Sequence, residues 1–453
     1  MRRNSVDMLS GSITKSLIVI SFPVMIQSLM LSLFNVIDMT VLQTFDTGGV
    51  AVGAVGVCGS LITLITGLLL GVSTGANVVV ARAIGEGNKE KVDHAVGSSI
   101  AIAAAGGVLL MLIGVIFAKN FLLWTNCPDD LLDQATLYFQ LYFAGVPAVV
   151  VYTFVIAVMR STGDSQRPMF ILILSGVVKL VFTYILVGAF HMSVAGVAIA
   201  SIISWVLTLV LTAGALMKNE GLVKLKLSMV RFYKRETLDV LRIGVPAGLQ
   251  RALYSVANVT ITATVNTFGT AATTGISIAN TFDGILYNLA TAPSLAVTPY
   301  VSQNIGAGNV DRARKAVGKG VMIAVVLAGS LGALSAIFSG QLSSIMSSDP
   351  EVIAYSQQKM MLISSTYFIC GIYDILGSAL RGMGRPNLAT VATLLFMCLL
   401  RFVWVYLVFP LWPNSLTFLY LVWPIGWVLS IIMFLCYYYP TLKKLKAKCA
   451  AAQ

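Results

Sequence analysis

Runs of about twenty consecutive apolar residues recur along this chain, residues 100–118 and 321–338 among them. Lipid offers no partner for backbone N–H and C=O groups, so a segment of that kind crosses a bilayer as a helix. Strands of a membrane barrel are shorter and alternate apolar with polar residues; these runs are too long and too uniform for that. Charge content agrees. Only 11 % of the 453 residues are charged, less than half the roughly 25 % of an ordinary soluble domain. The expectation is an all-α polytopic membrane protein, which rules out a disordered chain and argues against a cytoplasmic enzyme.

Twelve spans can be drawn. The first six lie near 13–42, 50–81, 95–118, 134–159, 168–190 and 193–217. The second six lie near 238–267, 273–304, 318–339, 353–380, 387–410 and 416–440. The formal charge of +12 would suggest a nucleic-acid partner until the cations are placed. Twenty-five of the 30 basic residues fall before the first span, after every even-numbered span, or in the centre of the chain. The alternate loops hold Lys119, with Lys359 at a span edge, against Asp46, Asp129, Asp130, Asp133, Asp349 and Glu351. Positive residues stay inside, so both termini are expected in the cytoplasm, and the basic excess reports topology. The N-terminal apolar stretch is too long for a signal peptide and no small-residue cleavage site follows it, so it counts as the first span. Six cysteines show no CxxC or Cys/His spacing, which supports neither a metal site nor a disulfide framework.

The chain repeats itself. Ile84-Gly85-Glu86-Gly87-Asn88 recurs as Ile305-Gly306-Ala307-Gly308-Asn309, 221 positions on, and the same shift carries Arg160 and Gly163 onto Arg381 and Gly384. Pro23 and Gln27 match Pro246 and Gln250 with a shift of 223. Each half holds an even number of spans, so the halves are parallel repeats about an axis along the membrane normal. The division is an N-terminal lobe at 1–217, a cytoplasmic linker at 218–236 and a C-terminal lobe with its tail at 237–453. The glycine loops are turns, with Asn88 and Asn309 placed to cap the following helix. They lack the remaining features of a phosphate-binding loop, and no Walker sequence occurs, so ATP is not a partner.

An ionisable group at the bilayer centre costs roughly 2.5–3.5 kcal/mol, so each one inside a span needs a reason. Three acids qualify: Asp38 on the first span, Asp283 on the eighth and Asp374 on the tenth. Gln27, Asn35 and Asp38 share one face of the first helix and form a polar stripe directed away from lipid. That stripe is a candidate ion or substrate site, with interhelical hydrogen bonding as the alternative. Three cations are also expected to be buried: Lys179, Arg251 and Arg401. Lys179 and Arg401 sit 222 apart, at nearly equivalent points of the two halves. Charge compensation would pair Lys179 with Asp38 and Arg401 with Asp283. The histidines His94 and His191 lie in loops, and no catalytic triad spacing is visible, so no enzyme is indicated.

Four segments carry a resemblance: Phe34-Asn35-Val36-Ile37-Asp38, Gln303-Asn304-Ile305-Gly306-Ala307-Gly308-Asn309, Leu380-Arg381-Gly382-Met383-Gly384 and Arg401-Phe402-Val403-Trp404. Together they resemble the multidrug and toxic compound extrusion (MATE) family, its bacterial and particularly Firmicutes members above all. The resemblance covers the whole chain. It implies two six-helix bundles exporting amphipathic drugs or metabolites in exchange for protons or sodium ions, and it carries the family's acidic residue of the first helix onto Asp38. Departures accompany it. Where relatives offer an asparagine and then an aspartate on the fifth span, this chain has Lys179 and Thr183. Where one branch has a glutamate on the seventh span, the match lands on Tyr254. No cofactor is implied beyond the coupling ion, and the expected unit is a monomer in the bacterial cytoplasmic membrane, surrounded by lipid. The competing reading is a lipid-linked oligosaccharide flippase of the same superfamily, for which Lys179, Arg251 and Arg401 would bind pyrophosphate. A facilitator-type solute importer is disfavoured because Gly85-Glu86-Gly87-Asn88-Lys89 lacks that family's loop pattern.

Overall fold

The structure is a computed structural model that describes residues 6–45, 50–125, 127–413 and 415–450. Besides short helices at Ala118–Trp124 and Ser339–Ser344 and a longer connection over 218–233, it is built, among the described residues, of long helices. In the first half these are α1 (Ile13–Phe45), α2 (Val50–Gly85), α3 (Lys89–Ile116), α4 (Asp129–Ser161), α5 (Gln166–Ala189) and α6 (Ser193–Met217). In the second half they are α7 (Lys234–Asn266), α8 (Thr270–Gly306), α9 (Val310–Ile337), α10 (Pro350–Ser365 with Tyr367–Gly382), α11 (Pro386–Leu411) and α12 (Leu416–Ala450). Nine of these are long and apolar enough to cross a membrane, and the bent α10 makes ten. The remaining two, α7 and α8, have 33 and 37 residues and carry more polar groups.

The repeat is visible element by element. Helices α1 and α7 both have 33 residues and α3 and α9 both have 28. Gly87 and Gly308 occupy equivalent turns with φ of 68° and 76°, a left-handed backbone that glycine adopts without steric cost. These are turns, as the sequence suggests. Asn88 caps α3, its side chain accepting from the Lys91 amide at 3.0 Å. The cap expected of Asn309 is not made. Its ψ of 60° departs from the extended 103° that aims the Asn88 oxygen at the helix.

Contacts divide the chain into two compact units, one containing Ile26–Leu249, the other Asp7–Met25 and the residues from Gln250 onward. The boundaries differ from the lobes read in the sequence, 1–217 and 237–453. The opening residues of α1 belong with the second unit, and residues 234–249 of α7 belong with the first. Within the first unit the cause is a glycine seam. Gly71 and Gly75 of α2 face Gly244 and Gly248 of α7 so closely that a Cβ on Gly75 would lie 2.2 Å from the Val240 carbonyl oxygen. Small residues allow membrane helices this approach. Backbone cannot yield as a side chain does, so Gly75→Val is expected to cost at least the 1–3 kcal/mol typical of overpacking. A lowered melting midpoint of the purified protein in detergent checks it.

In the first unit α4 is the central element, packed on α2, α3 and α6, with Phe139, Phe143 and Phe154 fully buried. The linker is not loose: Lys226 pairs with Asp93 of α3 at 2.6 Å. In the second unit α10 packs on α8, α9 and α12. Its two segments meet at 48° without a proline. The Thr366 hydroxyl donates to the carbonyls of Leu362 and Ile363 at 3.1 and 2.8 Å, and such side-chain competition bends helices.

Two helices depart from α geometry beside a buried polar residue, Thr183 in one and Arg401 in the other. The last turn of α5, Tyr184–Ala189, is π-helical, and α11 has π-helical turns at Leu394–Leu399 and Trp404–Val408. Such turns are frequent at functional sites. Here they follow Thr183 directly and bracket Arg401.

Candidate functional site

Within the first unit, a cavity of about 400 Å³ is lined by residues of α1, α2, α4, α5 and α6, among them Asp38, Lys179, Tyr138 and Trp205. Asp38 lies 25 residues into α1 and is 5 % exposed. Lys179 of α5 forms an ion pair with its Oδ2. Thr183, one turn further along α5 and fully buried, donates its hydroxyl to Oδ1 at 3.3 Å. Residues i and i+4 lie on one face of a helix, which is why this lysine and threonine reach the same carboxylate. The expected compensation of Asp38 by Lys179 is therefore made. In low dielectric the pair is neutral as a whole and strongly attractive, but each charge alone would be expensive.

Only part of the predicted stripe joins this site. Gln27 turns to Arg160, its Oε1 accepting from Nη2 at 2.8 Å. It therefore belongs to the end of α4, not to the cavity. The Asn35 side chain lies outside the described residues, as does Asp46.

The second unit holds a cavity of about 310 Å³, lined by Asp283, Lys359, Asn258 and Asn280 and by a set of rings that includes Tyr254, Tyr367 and Trp423. Here the sequence-based pairing needs correction. Asp283 is paired not with Arg401 but with Lys359, at 2.8 Å. Lys359 also donates to the Asn280 side-chain oxygen, and the Tyr367 hydroxyl donates to the Asp283 backbone carbonyl at 3.2 Å. Lys359 is not at a span edge. It stands nine residues beyond Pro350, roughly 13 Å along the helix at 1.5 Å per residue, and is 4 % exposed.

Arg401 is buried as expected, at 1 % exposure, but its partner is an amide. Its Nη1 donates to Asn258 Oδ1 at 2.5 Å. The guanidinium carbon lies 4.3 Å from the Tyr254 ring centroid and 4.9 Å from that of Trp423. The repeat explains the arrangement. With the shift of 223 that relates Gln27 to Gln250, Asn258 is the equivalent of Asn35, while the equivalent of Asp38 is Ile261. The second half has thus kept the cation and the asparagine and lost the acid.

Arg251 is exposed, contrary to the expectation that it is buried. Asp374 is half-buried in the second segment of α10 and is not among the described residues lining this cavity. Sequence reasoning missed Lys359, Asn258 and Asn280 as site residues. The signal for Asn258 was available in the 223-residue shift; for Lys359 there was only its distance from the start of the helix.

A family model named MatE matches the chain twice, over residues 23–185 and 246–407. The chain is similar to the probable multidrug resistance protein YoeA of Bacillus subtilis, at 25 % identity over 84 % of each chain. It is also similar to a FAD transporter of Shewanella oneidensis, at 24 % identity over 87 % of each. Among solved structures it resembles the outward-facing conformation of a multidrug resistance MATE family transporter, with a TM-score of 0.90 and 19 % identity over 99 % of this chain and 100 % of that one. The duplicated match falls on the duplicated halves, and the members of the family are transporters, not enzymes. This chain belongs to the MatE family of multidrug and toxic compound extrusion transporters.

Proposed function

We propose that the chain is a proton-coupled antiporter that exports amphipathic drugs or metabolites from the bacterial cytoplasm by alternating access, with Asp38 and Lys179 as its coupling pair. The observation that carries this reading is a buried carboxylate, ion-paired to one lysine, on the wall of a cavity in the first unit. A proton arriving at Asp38 neutralises the carboxylate and leaves the Lys179 ammonium without its partner. Breaking a buried pair from one side costs roughly 3–5 kcal/mol, so the protonated site must rearrange, and substrate and proton favour different arrangements. A proton entering the cell supplies about 2.3 kcal/mol per 100 mV.

Sodium suits the site less well. It would need several oxygen ligands beside Asp38, and the Lys179 ammonium already fills the place next to the carboxylate. The cation distribution supports cytoplasmic termini, and each unit encloses a cavity of its own, which supports a monomer as the working unit. The similar proteins include one named a FAD transporter, so the proposed substrates are a class that takes in metabolites as well as drugs. Efflux of an amphipathic dye in inverted vesicles tests the reading. Transport is expected under a pH gradient alone, and not under a sodium gradient alone; the reverse outcome would assign the coupling to sodium.

A further inference from the structure

Beside the cavity of the second unit lies a positive charge, Arg401, that no ion pair among the described residues offsets; Asp374, near the lining residue Tyr287, lies close to Arg381 and Arg251 instead. Asp283 and Lys359 neutralise one another. Arg401 has no carboxylate within 4 Å among the described residues, and its Nε and Nη2 are buried without a hydrogen-bond partner there. A guanidinium is held so only at considerable cost, and the two flanking rings and one amide reduce that cost without cancelling the charge.

The neighbouring amides show where that charge is felt. Asn258 and Asn280 both line the cavity, and neither is buried. The oxygen of each is taken by a cation, Arg401 in one case and Lys359 in the other. A cation accepts no hydrogen bond, so it fixes the orientation of each amide and leaves the NH2 end as what that residue offers. The wall thus presents donors backed by a buried positive charge. Around them stand Tyr254, Tyr367, Tyr420, Trp423 and Trp427, whose faces suit a flat conjugated body.

We propose that this cavity is the docking site of an aromatic anion, whose carboxylate, sulfonate or phosphate is drawn by Arg401 and bonded by the NH2 groups of Asn258 and Asn280. The proposal rests on the preceding reading only in that the chain carries amphipathic substrates. Arg401 then determines substrate sign without touching it, through Asn258. Replacing Asn258 with aspartate would give Arg401 the carboxylate that the first half supplies to Lys179, and the excess charge would vanish with the fold intact.

The test compares two probes with the same ring system and opposite charge, 1-pyrenecarboxylate and 1-pyrenemethylammonium. Binding to the purified full-length protein in detergent is read by fluorescence anisotropy at fixed pH. No gradient is applied, so a failure of coupling would not affect the result. The wild type is expected to favour the carboxylate. Asn258→Asp should weaken the carboxylate about 10- to 100-fold, the range for losing a hydrogen bond to a charged group, and strengthen the ammonium. Arg401→Gln should weaken the carboxylate in the same direction. A wild type that favours the ammonium, or an Asn258→Asp protein that elutes as a single species and binds both probes as the wild type does, would overturn the proposal.

Discussion

Asp38→Asn is expected to insert and express as the wild type does and to lose gradient-driven efflux down to the level of empty vesicles. The amide keeps the shape of the carboxylate and can still accept the Thr183 hydroxyl, which lies 3.3 Å from Oδ1. It cannot exchange a proton, and it cannot neutralise Lys179. Both consequences reach the same step, since a site that never changes charge never gives proton and substrate different preferences. Dye efflux measured in proteoliposomes under a pH gradient checks this. Wild-type rates in the variant would reduce Asp38 to a hydrogen-bonding residue that holds α1 against α5.

The second large effect is on stability. Lys179→Met leaves the Asp38 carboxylate in a cavity where it is 5 % exposed and without its ion-pair partner. The expected cost is about 3–5 kcal/mol. Removing both charges should recover most of it, because a buried pair replaced by apolar groups of similar volume is often neutral. Thermal melting of Lys179→Met, of Asp38→Leu and of the Asp38→Leu/Lys179→Met double variant forms a cycle that isolates the coupling between them. A single variant as stable as the wild type would mean that the pair contributes little in the folded state.

The fold could be read almost whole in the sequence, since each of its determinants is local or periodic. Apolar run length sets the helices, cation placement sets the expected sidedness, and the shifts of 223 and 221 residues pair α1 with α7 and α3 with α9. The same local logic found Asp38, Lys179 and Thr183, whose spacing on α5 puts both side chains on one face. It failed where partners come from different helices. Opposite sign alone matches Arg401 with Asp283 and does not rank them against Arg251, Lys359 or Asp374, whereas the structure brings Lys359 of α10 to Asp283 and leaves Arg401 to Asn258. Register between α8, α10 and α11 decided that choice, and one chain's hydropathy carries no record of register. The contact units part company with the sequence halves for a related reason. A seam of four glycines draws residues 234–249 of α7 onto α2, and glycines there look like any others in an apolar run.

The central claim is that substrate and proton compete through Asp38, and it can be measured without a membrane. Purified wild-type protein in weakly buffered detergent solution, equilibrated with its proton bound, is mixed with an amphipathic substrate while pH is recorded. Linkage requires that whatever opposes proton binding be opposed by it in return, so the account predicts release of roughly one proton per substrate bound and none from Asp38→Asn. Substrate binding with no proton release from the wild type, or equal release from the variant, would contradict it.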